Sequence, residues 1–345
     1  MRQLAHRHTA GAAAVTRPII ALTIGDPNGV GPEIAIKAAA KLVREGGPAI
    51  ILVGDEFVVR FYAELCAKDL NIRPFDGTAP RPGHVSLLAV DALPREAFSP
   101  GTPLAAGGRA TVDYVAAAWR IVDQGHASAI VACPHCETNV NAAGIAFSGY
   151  PSLLARLKNV PEDEVFLMLV GGGLRIVHVT LHERLHTALG RITSELIERA
   201  TRTADAALRK LHVEQPRIGL FGINPHAGEG GLFGDDDDRI TVPAAKRLRA
   251  LGLNVEGPLG ADLLLGRRDF DAFVAMYHDQ GHIPVKLLAG RNSAALSIGA
   301  GLLFSSVGHG SAFDIAGRGV AEPEAVLRSI QLLGGASHLK DMAVS

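Results

Sequence analysis

The chain predicts an α/β protein with a mainly parallel sheet. Between residues 19 and 333, short apolar runs of strand type alternate with longer stretches of helical periodicity, the pattern of repeated βα units. A length of 345 residues with 48% hydrophobic content allows a large core and suggests two domains. Polar, chemistry-bearing clusters also follow several of the strand-type runs, and open α/β sheets bind ligands off the carboxyl ends of their strands.

Residues 1–18 contain histidines, arginines and small residues, and the apolar patch at 11–15 is too short for a signal peptide. A flexible leader on a cytoplasmic protein is expected. Residues 19–24 read as a buried strand, followed by the turn Gly25-Asp26-Pro27-Asn28-Gly29-Val30-Gly31-Pro32-Glu33 and a helix to about residue 42. Pro32 suits the first helical turn. Such a turn can offer backbone N–H groups to an anion, or it can simply be tight. Strands at 49–53 and 85–88, a helix at 108–124 and a strand at 128–132 follow.

A second run has a helix at 151–158, strands at 165–170 and 174–179, a helix at 194–211, and strands at 218–221, 254–255 and 271–275. A helix at 323–333 closes the pattern. The Asp235-Asp236-Asp237-Asp238 run reads as an exposed loop and helix start. With no internal repeat and no low-complexity linker, topology sets the division. Residues 19–138 with 308–345 make a first domain, and 139–307 a second that carries the metal and substrate residues.

A formal net charge of −1, scattered basic residues and 5% aromatics argue against a nucleic-acid surface or a polybasic membrane patch. No apolar run reaches the length of a membrane span. Cys66, Cys133 and Cys136 are too few for a disulfide framework. Cys133-Pro134-His135-Cys136 is a C-x-x-C after a strand, so a thiol-disulfide protein is an alternative reading. Zinc on these thiols would need two more ligands, and there is no second C-x-x-C.

The richest stretch is Met276-Tyr277-His278-Asp279-Gln280-Gly281-His282-Ile283-Pro284-Val285-Lys286. Imidazole suits divalent ions, a carboxylate can act as a base or orient a ligand, and lysine can hold an anion or donate a proton. The plain alternative is a polar loop with solvated histidines. His182 and His226 also lie just beyond apolar strand runs, so with His278 three imidazoles would converge on one sheet edge. Three protein ligands and an open position are the pattern of a catalytic divalent site. His178, His186 and His282 are nearby alternatives, with His178 expected to pack inside its strand. A second element is His309-Gly310-Ser311-Ala312-Phe313-Asp314-Ile315-Ala316-Gly317-Arg318-Gly319. Its small residues let backbone approach a flat ligand, and Asp314 could accept from ribose hydroxyls while repelling a 2′-phosphate, favouring NAD over NADP.

Four of these motifs, the Gly25–Glu33 turn, Asn224-Pro225-His226-Ala227-Gly228-Glu229, Tyr277-His278-Asp279-Gln280-Gly281 and Ala316-Gly317-Arg318-Gly319, together resemble the 4-hydroxythreonine-4-phosphate dehydrogenase family over residues 17–333. The resemblance implies two α/β/α domains around a cleft, as in isocitrate and isopropylmalate dehydrogenases. It also implies a homodimer with shared active sites, and a divalent metal, with zinc the leading choice, on His182, His226 and His278.

Departures from the biosynthetic members concern the substrate. Their Thr-Gly-His-Thr is Ser148-Gly149-Tyr150-Pro151 here. Their phosphate-contacting Asn and Arg align with Ala295 and Phe304, and a His-Lys pair aligns with Cys136-Glu137, although their Lys is kept as Lys286. Losing those groups removes most of the charge-assisted bonds that a phosphate dianion needs. Residues 132–138 and 143–155 look like the branch of the family that acts on terephthalate dihydrodiol. That branch implies NAD-linked oxidative decarboxylation of a small dicarboxylate, 1,2-dihydroxy-3,5-cyclohexadiene-1,4-dicarboxylate. Asp262 and Asp279 are then candidates for base or orienting roles, and Lys286 for holding a carboxylate or protonating an enolate. His135, Glu137 and Tyr150 would shape the substrate pocket. His309, Gly310, Ser311, Ala312 and Asp314 would hold NAD.

Overall fold

The computed structural model describes residues 18–290, 293–307 and 310–334. The expected leader therefore lies almost wholly outside the described residues, as do His309 and residues 335–345.

In the first half the chain runs β1 (Ile19–Thr23), α1 (Gly31–Glu45), β2 (Ala49–Gly54), α2 (Glu56–Cys66), β3 (Ile72–Pro74), β4 (Val85–Ala89), α3 (Ala105–Asp123) and β5 (Ala129–Ala132). It continues through α4 (Glu137–Ala142), α5 (Tyr150–Lys158), β6 (Val165–Gly171), β7 (Leu174–His178), α6 (Leu185–Arg191), α7 (Ser194–Lys210) and β8 (Arg217–Phe221). The last part is α8 (Val242–Ala250), β9 (Asn254–Leu259), α9 (Ala261–Leu265), β10 (Ala272–Ala275), α10 (His278–Ala289), β11 (Ala294–Gly299), β12 (Leu302–Ser306) and α11 (Glu324–Leu333).

Among the described residues the strands join one twelve-stranded sheet in the order β3-β4-β2-β1-β5-β12-β11-β6-β7-β10-β8-β9. Both flanks are parallel, as βα alternation demands, and the centre is antiparallel at β12–β11, β11–β6 and β6–β7. Every residue of β6 is buried, which is why Val165-Phe166-Leu167-Met168-Leu169-Val170 reads as an unbroken apolar run. Both halves of the expected division contribute to this sheet, since β12 lies beside β5.

The main core runs through both halves. A smaller cluster, including Leu169, Ile176, Phe221, Phe273 and Val285, lies beneath α10 and the ends of β7, β8 and β10. Thr193 caps the start of α7, its Oγ1 accepting from the Leu196 N–H at 3.2 Å.

Two stretches differ from the sequence expectation. Residues 294–306 form a β-hairpin around Ala300 and Gly301, both at positive φ. The histidine-rich stretch is not a loop, because α10 begins at His278. Gly281 and Pro284 disfavour a helix interior, so local propensity pointed elsewhere and tertiary packing overrides it.

Candidate functional site

The ends of β7 and β10 are tied together. The Val179 N–H donates to the Ala275 carbonyl at 2.9 Å, and Thr180 Oγ1 donates to the Met276 carbonyl at 2.8 Å. That juxtaposition brings the His182 ring to 5.3 Å from the His278 ring. The start of α10 is fixed through Gln280, whose side chain accepts from the Met276 N–H at 2.7 Å and donates to the Gly222 carbonyl at 2.8 Å. On the helix, His278 and His282 are four residues apart and their rings stack at 3.8 Å. His278 Nδ1 lies 2.7 Å from Asp279 Oδ1. Lys286, further along α10, donates to Ser293 Oγ at 2.8 Å. Desolvation, then the neighbouring His278, hold the His182 pKa below the usual imidazole range, with Glu137 opposing.

His226 follows β8 in a different setting. His226, Ala227 and Glu229 have left-handed backbones, with φ of 52, 54 and 46°. Non-glycine residues adopt this region at a cost, and functional loops are where such strain collects. Behind the loop, the fully buried Asp237 accepts from the N–H groups of Ile223 at 2.8 Å and Asn224 at 2.9 Å. The four-aspartate run is therefore not wholly an exposed loop, because its third member grips the His226 turn. The charge pattern alone could not single out Asp237. The His226 ring faces Phe233 at 6.0 Å. A Cβ at Gly260 would fall 2.6 Å from Asp262 Oδ1 and 3.7 Å from His226 Cα, so Asp262 neighbours His226 across that glycine.

His135, Phe147, Tyr150 and Phe304 form an aromatic wall, with Tyr150 rings 4.7 Å from His135 and 4.4 Å from Phe304. Burial pulls the His135 pKa down to about 4, which keeps the ring neutral. His135 Nε2 and Tyr150 Oη are buried without hydrogen-bond partners. Glu137 is exposed on the first turn of α4, and His135 Nε2 lies 4.0 Å from it. A cleft of about 160 Å³ is lined by residues that include Ser148, Pro151, Ser152, His178, Thr180 and His182. A larger cavity of about 400 Å³, between α7 and the β11–β12 turn, contains none of the predicted site residues. Cys133 is fully buried and burial pushes its thiol pKa up, which removes the thiolate character that a redox pair needs.

The remaining predicted residues gather against α1. The Val30 N–H donates to the Ser311 carbonyl at 2.8 Å, and a Cβ on Gly29 would sit 2.7 Å from Ser311 Cβ. The glycine-rich turn thus supports the 310–319 loop, with its Val30 N–H committed to protein. Glu33 accepts from the N–H groups of Ala321 at 2.7 Å and Gly319 at 3.1 Å, and Lys37 donates to their carbonyls at 2.8 and 2.9 Å. Within the loop, Ser311 is buried with its Oγ unpartnered, Ala312 has φ 40°, and Asp314 is exposed, as is Gly310.

Among the described residues, no group of three or more His, Cys, Asp or Glu side chains is arranged to hold a metal ion. The structure joins His182 with His278, whereas the ring contact of His226 is with Phe233. In donor chemistry the residues fit a divalent ion, since His278 has its Nδ1 engaged by a carboxylate and its Nε2 left to donate. For a dinucleotide, the orphaned Ser311 Oγ and exposed Asp314 supply unspent polar groups of the right kind. Sequence reasoning set aside His282 and His178, although the i, i+4 spacing of His278 and His282 was visible.

A family model described as pyridoxal phosphate biosynthetic protein PdxA matches residues 47–333. The chain is 49% identical over 321 residues to a 1,2-dihydroxy-3,5-cyclohexadiene-1,4-dicarboxylate dehydrogenase of Comamonas sp, covering 91% of this chain and 96% of that one. Among solved structures it is similar to a terephthalate 1,2-cis-dihydrodiol dehydrogenase from Burkholderia xenovorans LB400, with 52% identity, TM-score 0.79, and coverage of 95% and 99%. A 4-hydroxythreonine-4-phosphate dehydrogenase from Burkholderia phymatum gives 35% identity, TM-score 0.82, and coverage of 95% and 99%.

Proposed function

The chain belongs to the family of pyridoxal phosphate biosynthetic protein PdxA, and on that premise we propose that it oxidises terephthalate cis-dihydrodiol, with decarboxylation, to protocatechuate. As a member of this dehydrogenase family it is an oxidoreductase. The observation that carries the reading is the contact of Tyr150 with Phe304 at 4.4 Å, backed by His135 and Phe147. Phe304, fully buried against Tyr150, stands where the biosynthetic members align a phosphate-contacting Arg. A dianion loses there a charged partner that it needs, whereas an unphosphorylated ring substrate does not.

In this reading His182, His226 and His278 hold a divalent ion, with zinc the leading choice, and residues 309–314 hold NAD. The ion supplies Lewis acidity and NAD the hydride acceptor. Asp279 orients His278, and Asp262, exposed beside His226, is available to take the alcohol proton. Removing that proton and a hydride from the carbinol leaves a β-keto acid. Loss of carbon dioxide gives an enol that is itself the phenol, so the aromatic product forms in that step. Lys286 is suited to hold a carboxylate or to protonate the enolate at its oxygen.

The same proposal has two domains closing on a cleft, a cytoplasmic enzyme and a homodimer with shared active sites. For the dimer, Ile283, Leu287 and Leu288 expose an apolar face on α10, Leu287 being 80% exposed. No helix among the described residues is long and apolar enough to cross a membrane. A phosphorylated hydroxy acid is the second reading, favoured by Lys286, which the biosynthetic members share.

The test offers the dihydrodiol and 4-phosphohydroxy-L-threonine separately to the metal-supplemented protein and follows NADH. Dihydrodiol turnover with release of protocatechuate and CO2 is expected, falling at least about 100-fold in His226→Ala. Turnover of the phosphorylated substrate alone overturns the reading.

A further inference from the structure

His178 and His282 have no part in the chemistry above, yet they form a hydrogen-bonded pair under it. His178 ends β7 and is 1% exposed. A buried imidazole must have its polar atoms paired, and here both are. His178 Nδ1 lies 3.3 Å from the Leu167 carbonyl oxygen, and its Nε2 lies 3.0 Å from His282 Nδ1.

A carbonyl oxygen accepts and cannot donate, so this end fixes the whole chain of tautomers. His178 carries its proton on Nδ1 and accepts at Nε2, so His282 donates from Nδ1, a tautomer assignment made from the network. Desolvation favours the neutral form of both rings, holding His178 at about 3 and His282 at about 4. The His282 ring is thereby pinned at one edge, and its face lies parallel to His278, 3.8 Å away and tilted by 14°. Gly281 makes the approach possible. A Cβ there would fall 2.4 Å from His178 Nε2 and 2.9 Å from Ile176 Cγ2.

We propose that His282, anchored by His178, is a positioning residue that backs the His278 ring and holds it where Asp279 turns it. Two partners then constrain His278: Asp279 fixes rotation of the ring through Nδ1, and His282 closes off one face. A phenyl ring at 282 could stack, but it could not bond to the buried His178. The need for that anchor accounts for a histidine rather than a plain aromatic. This inference rests on the reading of His278 as a ligand to a divalent ion.

The experiment loads the full chain with Co2+, measuring affinity by chelator competition and geometry by the visible absorption of the bound ion. His282→Ala is expected to weaken Co2+ binding by about 10-fold or more and to alter the spectrum, while the melting temperature shows the fold retained. His282→Phe, which restores the ring without the anchor, is expected to recover part of the affinity. His278→Ala is expected to abolish binding. If His282→Ala binds like wild type while His278→Ala does not, the positioning role falls and the metal reading stands. His282→Phe that binds like wild type also overturns it, since the bond to His178 would then hold nothing in place. Failure of wild type to bind Co2+, or unchanged binding by His278→Ala, overturns both.

Discussion

The turns that leave β1 and β8 look alike as sequence, Gly25-Asp26-Pro27-Asn28 and Gly222-Ile223-Asn224-Pro225, and they behave in opposite ways. In the first, Asp26 and Asn28 are fully buried and satisfy one another and their surroundings. Asp26 accepts from the Asn28 N–H at 3.0 Å and from Asn139 at 2.9 Å, and Asn28 bonds to Ala97 and Ser99. In the second, the polar support comes from behind through Asp237, and the turn itself puts His226 at the surface on a left-handed backbone. Glycine content reports that a chain bends. Whether the bend is scaffold or site depends on whether its polar groups are already spent.

The comparison breaks most visibly at Gly25. An added Cβ would meet the Pro134 carbonyl oxygen at 2.2 Å on a backbone with φ 71°, so Gly25→Ala is expected to cost about 4 kcal/mol or more, or to prevent soluble folding, read by thermal melting. Asp237→Ala removes the acceptor for two backbone N–H groups and is expected to cost about 3 kcal/mol, with loss of turnover exceeding that in other variants of equal stability. If melting falls without a disproportionate loss of turnover, the β8 turn is scaffold like the first.

The smallest effect is in pH. His135 follows Pro134, whose carbonyl accepts the Asp26 N–H, and its folded pKa of about 4 lies below the unfolded value near 6.5. The unfolded chain therefore binds the extra proton first. The stability contribution is complete above pH 6.5 and is lost as pH falls toward 4, by about 1.5 kcal/mol between pH 6.5 and 5. His135→Phe is expected to flatten that part of the pH–melting curve.

Much of the fold was legible because buried parallel strands leave continuous apolar runs, as at residues 49–53 and 165–170. The strand at 254–255 was seen short, since Glu256, Gly257 and Pro258 carry no strand signal although β9 reaches Leu259. Gly281 and Pro284 concealed α10 for the reason that makes it useful: glycine lets the helix close on His178. In the site, His182 and His278 meet as their positions after β7 and β10 implied. The pairing of His178 with His282 was not legible, because sequence periodicity gives the face of an element and not its partner across the sheet. Asp237 was hidden among three like neighbours for the same reason.

The seam between β5 and β12 joins residues 130–132 to residues 304–306. During synthesis from the N-terminus, β1 to β5 can pair among themselves long before that neighbour exists. One edge of β5 then waits with unpaired peptide groups until the chain is nearly finished, which is the condition that invites wrong strand pairing. A nascent chain of this topology thus gains from whatever shields that edge or speeds the final stretch, and a stall late in translation exposes it longest.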